Sequence, residues 1–343
     1  MPDILISICI PVYNCAEFLG FALDSILPQA GENIEVIVYD GGSTDDTSVL
    51  MKGYILAWDN LQYHHADHRG GIDADMAKCA SFARGEYIWL FSGDDVMHTN
   101  AMKRALEWIK HKEDVYICKH MICRKEMTNC REHFVLLPDI ETKTELSDIK
   151  SRQNWFRHAV TTEAFFSFMS GLLIRSEAWQ FGKFSKEFDG SCWGHVARLF
   201  SLVNSGLRVC YVPEIWLSQR GENDSFAEKG VVNRYRIGIE GYHRLADSFF
   251  GHDSVEAFHI RRVIRNEFGL RMFLYARLLC KANPGRENKL LLDDLVRKTY
   301  SDISFMNTLK YLIYRMVPVW MYALVRNIYR LIRSMFNSLK GIG

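Results

Sequence analysis

Tyr87-Ile-Trp-Leu-Phe-Ser-Gly-Asp94-Asp95 is an apolar, β-prone run that ends in two adjacent carboxylates. A buried strand of this kind delivers both acids to the edge of a sheet, and ligands of open α/β sheets bind beyond the carboxyl ends of the strands. Two unpaired carboxylates repel each other unless a cation or a polyol ligand shares them. The stretch therefore predicts a ligand-binding edge, with an Asp-rich turn that caps the next helix as the alternative.

Two more apolar runs precede this strand, at residues 4–13 and 34–39, and a helical pattern follows the first. After the second run, Gly41-Gly-Ser-Thr44 permits a tight turn and offers a hydroxyl group to cap the following helix. Alternating strands and helices predict an α/β fold, with a mostly parallel sheet covered by helices on both faces. The glycine-rich fingerprints of dinucleotide-binding and P-loop proteins do not occur in the sequence.

Three early segments resemble a known family in their content, order and spacing. They are Ile8-Cys-Ile-Pro-Val-Tyr-Asn14, Val38-Tyr-Asp-Gly-Gly-Ser-Thr-Asp45 and Gly85-Glu-Tyr-Ile-Trp-Leu-Phe-Ser-Gly-Asp-Asp95. Together they closely resemble the inverting GT-A glycosyltransferases of family 2, whose GT-A fold is Rossmann-like. The later segments Asp189-Gly-Ser-Cys-Trp-Gly-His-Val196 and Arg220-Gly-Glu-Asn-Asp-Ser-Phe226 look like the abequosyltransferase branch of O-antigen synthesis. That branch transfers a dideoxyhexose from a CDP-sugar to a lipid-linked oligosaccharide.

The resemblance implies roles for the polar residues that follow the strands. Asp95 becomes the expected ligand of a divalent metal, Mn²⁺ or Mg²⁺, with Asp94 on the ribose or the metal and Glu222 or Asn223 completing the coordination. Arg220 is expected to clamp the diphosphate. The pocket for the nucleotide of a CDP-, UDP- or dTDP-sugar is expected to be lined by Pro11, Tyr13, Asn14, Asp40 and Asp67. The alternatives are a turn-forming Asp40, a core Tyr13 and a solvated Arg220.

An inverting transfer also needs a base for the acceptor hydroxyl. Where many family members carry Glu-Asp, this chain has Ser191 and Cys192, and neither is a base at neutral pH. His195 is the first candidate because an ordinary pKa of about 6.5 suits proton abstraction, and Asp189 is the second. A helix over 193–202 would direct His195 to the cleft, whereas the alternative is a histidine hydrogen-bonded inside the core.

Three function classes follow from these residues. The first is an inverting glycosyltransferase that adds a sugar, such as a deoxy- or dideoxyhexose, to an undecaprenyl-diphosphate-linked oligosaccharide. A degenerate, non-catalytic glycan- or lipid-binding protein is the second, since the Glu-Asp pair is missing. A sugar nucleotidyltransferase is the third, and it lacks its usual glycine-rich triphosphate loop here. An apolar wall of Phe165, Phe166 and Phe168 would suit a deoxygenated sugar, although these rings would equally suit a core.

Composition favours a cytoplasmic protein without affinity for nucleic acid. The 343 residues carry a formal net charge of +1. Nine cysteines is an odd number, which suggests free thiols in a reducing compartment, with Cys9, Cys118, Cys123 and Cys210 as small core residues. A zinc site on the segment 118–130 is disfavoured because no C-x-x-C hook occurs there. Met1-Pro-Asp3 leads directly into the first strand, so no secretory signal is expected.

We divide the chain into three parts. Residues 1–228 form the GT-A domain, with a nucleotide-sugar half at 1–112 and an acceptor half at 113–228, and residues 229–300 form a helical region. Residues 301–343 are basic and amphipathic, with no acidic residue after Asp302 and a break expected at Pro318. They predict helices on the anionic inner face of the bacterial cytoplasmic membrane; a helical pair packed on the protein is the alternative. No apolar run reaches the ~20 residues of a membrane span.

Overall fold

A computed structural model describes residues 3–183, 185–223, 226, 229–302 and 304–327. The chain falls into two compact units. The first contains Met1–Asp224 and Leu245–Ile260, and the second contains Ser225–Arg244 and Arg261–Gly343.

A single mixed sheet forms the centre of the first unit. Its strands, within the described residues, are β1 (Ile6–Val12), β2 (Ile34–Asp40), β3 (Leu61–His65), β4 (Tyr87–Leu90), β5 (Val96–Met97), β6 (Val115–Cys123), β7 (Arg131–His133), β8 (Thr142–Glu145), β9 (Leu172–Arg175) and β10 (Arg208–Arg220). The strands lie in the order β3-β2-β1-β4-β9-β6-β10-β5, with β7 beside β6 and β8 beside β10.

The amino-terminal half of the sheet is parallel. β1 pairs in parallel with β2 and with β4, and β2 pairs in parallel with β3. β9 then runs antiparallel to both β4 and β6, while β6 and β10 form the longest parallel pair. The predicted α/β fold with a mostly parallel sheet is confirmed.

Helices cover both faces of this sheet. Those that lie wholly in the first unit are α1 (Ala16–Ile26), α2 (Thr47–Ala57), α3 (Ile72–Ala80), α4 (Ala101–Trp108), α5 (Ile149–His158), α6 (Ser176–Phe181) and α7 (Gly194–Phe200). All seven residues of β1 are buried, which explains its continuous apolar run. On one of its faces, Ile8 and Ile10 join a core cluster with Leu19 and Leu23 of α1.

The second unit is helical. Within the described residues, the other α-helices are α8 (Val231–Phe250), α9 (Val255–Glu267), α10 (Leu270–Ala282), α11 (Lys289–Thr299) and α12 (Phe305–Met316), and a further helical segment covers 319–327. The end of α8 and the start of α9 belong to the first unit. The helix break predicted at Pro318, between α12 and the segment 319–327, is confirmed. Residues 328–343, the last part of the predicted membrane-associating helices, lie outside the residues that the structure describes. Among the helices described, none has the length and apolar character needed to cross a membrane.

Cysteine pairing differs from the sequence-based prediction at one position. Cys9, Cys118 and Cys210 are buried free thiols, as predicted. Cys123, at the end of β6, is buried as predicted for a core residue, but it forms a disulfide with Cys130, which the predicted reducing compartment does not favour. The bond closes the turn between β6 and β7, and it occupies two of the sulfur atoms that a zinc site on 118–130 would have needed.

Candidate active site

The loops that follow β1 and β2 are fastened to each other. Asn14 has a positive φ of 51° and its N–H donates to Ser43 Oγ at 2.8 Å, while its side-chain Oδ1 accepts from the N–H of Thr44 at 2.8 Å. Asp45 Oδ2 accepts from the N–H of Ala16 at 3.0 Å, at the start of α1. These bonds hold the carboxyl ends of two neighbouring strands in one place.

Asp40 is the fully buried last residue of β2. Its Oδ1 accepts from the N–H of Ser43 at 2.7 Å, and its Oδ2 accepts from the hydroxyl of Tyr63 at 2.7 Å. Burial and this hydrogen bond to Asp40 raise the pKa of Tyr63, which keeps the phenol protonated as the donor. Asp40 thus forms the predicted turn and also stands at the sheet edge where a nucleotide base is expected.

Tyr13 lies half-buried just beyond β1, and Pro11 is buried inside that strand. The guanidinium carbon of Arg69 lies 4.0 Å from the centroid of the Tyr13 ring, a cation–π contact. Asp67 is exposed in the same loop, between β3 and α3. Arg69 was not predicted from the sequence, although it lies only two residues after the predicted Asp67.

Asp94 and Asp95 lie in the turn between β4 and β5, where Asp95 is buried and Asp94 is partly exposed. Asp95 Oδ2 accepts from Ser170 Oγ at 2.6 Å, and its Oδ1 accepts from the N–H of Arg220 at 2.9 Å. Burial, followed by the nearby charge of Asp94, raises the pKa of Asp95 well above the usual range. Both effects favour the protonated carboxyl, so a nearby cation is needed to stabilise the ionised form of Asp95.

Arg220 ends β10 and buries its guanidinium beside this turn. Its Nε donates to the carbonyl of Asp94 at 2.9 Å, and its Nη1 donates to the carbonyl of Lys125. The guanidinium carbon lies 4.7 Å from the centroid of the Phe18 ring. Arg220 is therefore not the solvated loop residue of the alternative prediction, because it fixes the backbone that carries the two acids.

Asn223 contacts Asp94, whereas Glu222 is exposed at a positive φ of 58°. Asn223 Nδ2 donates to Asp94 Oδ2 at 2.8 Å, and Ser92 Oγ donates to Asp94 Oδ1 at 2.5 Å. Carboxylate and carboxamide oxygens are the ligands that Mg²⁺ and Mn²⁺ prefer. The residue set at this turn fits such an ion, with Asn223 better placed than Glu222.

Two buried carboxylates on α3 were not predicted. Asp75 lies against the loop after β2, and a Cβ atom on Gly41 would stand only 2.8 Å from its Cγ. Asp73 Oδ2 accepts from the N–H of Cys192 at 2.8 Å, and its Oδ1 accepts from the N–H of Gly194 at 2.9 Å. Burial raises the pKa of both carboxyl groups. α3 thus connects the nucleotide-side loop to the loop that precedes α7.

The two candidate bases have different surroundings. His195 lies in the first turn of α7 with its ring buried, and its Nε2 is 3.0 Å from the carbonyl of Phe166, to which it donates. Burial lowers the pKa of His195 to about 4. The prediction that this ring faces the cleft is wrong, because it packs in the core. Asp189 is exposed in the loop before α7, whose Gly190 and Cys192 both have positive φ values, 68° and 74°.

The three phenylalanines proposed for an apolar wall also differ. Phe165 and Phe166 are buried in the core, which is the alternative considered from the sequence. Phe168 is only partly buried, with its ring centroid 4.4 Å from that of His120. Of the three rings, only Phe168 has a surface for a ligand.

Residues 7–170 match the family model described as glycosyl transferase family 2. These residues are a family 2 glycosyltransferase domain. Over 318 residues the chain is 27% identical to abequosyltransferase RfbV of Salmonella typhimurium, covering 89% of this chain and 92% of that protein. It is 31% identical to glycosyltransferase GlyG of Streptococcus pneumoniae over 114 residues, which are 33% of this chain and 38% of GlyG. The protein is a glycosyltransferase, and the predicted resemblance to abequosyltransferases is confirmed.

The fold is also found among solved structures. S. aureus TarS 1–349 in complex with UDP-GlcNAc aligns with a TM-score of 0.59 at 16% identity, covering 96% of this chain and 92% of TarS 1–349. The complex of the same TarS fragment with UDP aligns with a TM-score of 0.57. At this level of identity the likeness supports the GT-A fold, including its helical carboxyl-terminal extension.

Proposed function

We propose that this glycosyltransferase moves a sugar, a deoxy- or dideoxyhexose, from a nucleotide-sugar donor to a lipid-linked oligosaccharide, with inversion at the anomeric carbon. The product would belong to an O-antigen or a related surface polysaccharide. The observation that carries the proposal is the turn where Asp94 and Asp95 meet Arg220, together with Asp40 at the carboxyl end of β2 in the same sheet. The name of RfbV, an abequosyltransferase, supports the proposed sugar and product. The TarS complex with UDP-GlcNAc supports a nucleotide-sugar as the donor.

The nucleotide would lie over the ends of β1 and β2. Asp40 accepts hydrogen bonds there and is suited to the N–H groups that uracil and cytosine both present. The Tyr13 ring offers a stacking surface for the base, which Arg69 occupies in the structure. The remaining residues proposed for this pocket are Pro11, Asn14 and Asp67. Arg69 would have to leave the ring, and its cation would then be free to contact the diphosphate.

The diphosphate would lie at the turn of Asp94 and Asp95. We propose that these acids hold a divalent ion, Mn²⁺ or Mg²⁺, with Asn223 or Glu222 as a further ligand. When bound, this ion neutralises the charge that develops on the leaving diphosphate. Arg220 and Ser170 keep the acid pair in position, since each donates a hydrogen bond to Asp95.

We assign the base to Asp189 in preference to His195. In the transfer, the acceptor hydroxyl oxygen forms a bond to the anomeric carbon as the bond from that carbon to the diphosphate breaks. The nucleoside diphosphate leaves with the bonding electron pair, and the hydroxyl proton passes to the Asp189 carboxylate. Asp189 is exposed in a loop held by Asp73, whereas the His195 ring is buried and hydrogen-bonded.

A transfer assay tests the reaction and the base together. CDP-, UDP- and dTDP-linked sugars are incubated with the protein and a lipid-linked oligosaccharide, and NMR determines the anomeric configuration of the product. We expect inversion from one donor, a loss of kcat of at least about 100-fold in Asp189→Asn, and activity near that of the native protein in His195→Gln. Retention would contradict the inverting mechanism, and a fully active Asp189→Asn would remove Asp189 from the base role.

The carboxyl-terminal helices would bring the protein to its lipid-linked acceptor. α12 exposes an apolar stripe, Phe305, Leu309, Leu312 and Met316, whose spacing places all four residues on one helical face. Trp320 and Leu324 continue the exposed apolar surface after Pro318. Lysine and arginine side chains lie between these residues, a combination typical of helices in the interface of an anionic membrane. We propose peripheral association with the inner face of the cytoplasmic membrane.

A further inference from the structure

Two histidines and a glutamate meet on the sheet in the first unit, outside the donor site. His120 of β6 and His133 of β7 face each other across the hairpin, and their ring centroids are 4.8 Å apart. Glu163 reaches them from the short 3-10 helix Thr162–Phe165. Its Oε1 lies 3.6 Å from His120 Nε2, and its Oε2 lies 2.6 Å from His133 Nε2. One potential ligand atom from each residue lies within 4.8 Å of the others.

The His120 ring is incompletely satisfied in this environment. It is fully buried, and neither of its ring nitrogens has a hydrogen-bond partner among the residues described. Buried polar atoms nearly always have a hydrogen-bond partner, so two buried ring nitrogens without one indicate a missing ligand. Glu163 Oε2 has further support, because it accepts from Thr161 Oγ1 at 3.2 Å. The carboxylate is thereby held toward both histidines.

We propose that His120, His133 and Glu163 form a second metal site, which takes a divalent transition ion of the zinc class. Two imidazoles and one carboxylate are a donor set that binds Zn²⁺, with a fourth position left for water. The same set disfavours Mg²⁺, which requires oxygen ligands. The site therefore differs in chemistry from the all-oxygen turn of Asp94 and Asp95, and it does not depend on the function proposed for that turn.

Binding requires only small side-chain movements. Metal–ligand distances of about 2.0–2.2 Å would draw the three ligand atoms inward. The backbone on either side is held already, since the Cys123–Cys130 disulfide closes the hairpin and the Phe168 ring lies against that of His120. The ion would fasten the β6–β7 hairpin to the segment 161–170.

That segment leads directly to the donor site. Ser170 is fully buried, and its hydroxyl donates to Asp95 Oδ2 at 2.6 Å. Its carbonyl accepts from Trp89 Nε1 at 2.9 Å, which anchors the segment to β4. A metal at His120, His133 and Glu163 would act as a positioning site, because it would restrain the segment 161–170, whose last residue contacts Asp95.

The test is zinc binding by the untagged full-length protein after treatment with chelator. Calorimetry should give one Zn²⁺ per chain in the absence of nucleotide, and bound Co²⁺ should show visible absorption. Glu163→Gln and His133→Gln should each weaken Zn²⁺ affinity by more than about 100-fold, because even changes outside the ligand shell cost about 10- to 100-fold. His111→Gln, which replaces an exposed histidine, and Asp95→Asn should leave Zn²⁺ binding unchanged.

Folding of each variant is checked by circular dichroism, and one measurement needs no variant. X-ray absorption by Zn²⁺ in the native protein should show scattering from two imidazole rings. The proposal is overturned if the native protein does not bind Zn²⁺, if the ligand variants bind it as tightly as the control variants, or if the bound ion has no imidazole ligands. The cluster would then be a partly buried ion pair of His133 and Glu163.

Discussion

Asp40, Asp75 and Asp95 are three buried carboxylates, and they differ in whether the sequence allowed their prediction. Asp40 and Asp95 could be predicted as site residues because each follows an apolar run and fits a family motif. Asp75 lies inside a helical pattern, where a carboxylate is ordinarily exposed. Its burial follows from Gly41 and Gly70, whose missing Cβ atoms leave room for its side chain. Such a contact between distant segments leaves no local signal in one sequence.

Asp75 was overlooked, whereas His195 was assigned to the cleft but lies in the core. Its residue type and position suggested a catalytic base, but the direction of a side chain in the first turn of a helix depends on what packs against that helix. In the structure the ring packs in the core and donates to the carbonyl of Phe166. A histidine buried in this way resists protonation, which makes its effect on stability measurable.

Replacing His195 should change how stability depends on pH. Its pKa is about 4 in the folded protein, below the ordinary value of 6.5 that applies when the chain unfolds. Between these values the unfolded chain binds a proton that the folded protein does not, so stability falls as the pH is lowered from about 7 to 4. The contribution is about 3 kcal/mol at most. Urea denaturation across this range should show a flatter profile for His195→Gln.

The control for this prediction is His252→Gln, which removes an exposed histidine from the turn after α8. Its profile should follow that of the native protein. If His195→Gln retains the full slope between pH 7 and pH 4, His195 is not buried in its neutral form.

At the scale of elements, the start of α7 depends on another helix. The first N–H groups of a helix need acceptors, which nearby side chains usually supply. α7 has no side-chain cap of its own, and Asp73 of α3 accepts from Cys192 and Gly194 instead. The helix predicted over 193–202 is observed as Gly194–Phe200. The sequence did not show that its start is held by Asp73, because that residue is remote in the chain.

Asp73→Ala should therefore lower the free energy of unfolding by about 1–3 kcal/mol, because two partly buried N–H groups lose their acceptor. It should also reduce kcat more than donor affinity, since it releases the loop that carries Asp189. Asp46→Ala is the matched control. Asp46 is exposed at the start of α2 and makes no side-chain capping bond, so its loss should cost no more than about 0.5 kcal/mol. Equal effects of the two substitutions on unfolding would contradict the role of Asp73.

At the scale of the whole molecule, the sheet was easier to predict than the division into units. β1, β2 and β4 lie in largely apolar runs, whereas β3 (Leu61–His65) is mostly polar and was not predicted. Pro318 predicts the end of a helix from its residue type alone. α8, by contrast, shows one helical pattern from Val231 to Phe250, yet its last residues belong to the first unit. Phe249 and Phe250 contact Phe200 there, with ring centroids 5.7 Å and 5.1 Å away. Periodicity predicts a helix and a buried face, but not the surface on which that face packs.

The proposed membrane association rests on the exposed apolar stripe of α12. Leu312→Glu places a negative charge in the exposed apolar stripe of α12. It should weaken binding to anionic liposomes by about tenfold, because the carboxylate removes apolar contact and is repelled by the anionic lipids. Cosedimentation with liposomes measures this binding. Leu56→Glu is the matched control, since Leu56 is an exposed leucine on α2 of the first unit. Equal binding by the two variants would contradict the role of α12, as would unchanged binding after removal of the residues that follow Ser304.

Calorimetric titration with CDP, UDP, dTDP and GDP, each with Mn²⁺ and with chelator, tests the donor site most directly. The account predicts that one of these nucleotides binds in the presence of the metal, that Asp95→Ala abolishes this binding, and that Asp40→Ala weakens it. Leu56→Glu should bind that nucleotide like the native protein. Failure of the folded protein to bind any of the four, or equal binding by Asp95→Ala, would contradict the assignment of Asp40, Asp94 and Asp95 to a nucleotide-sugar donor.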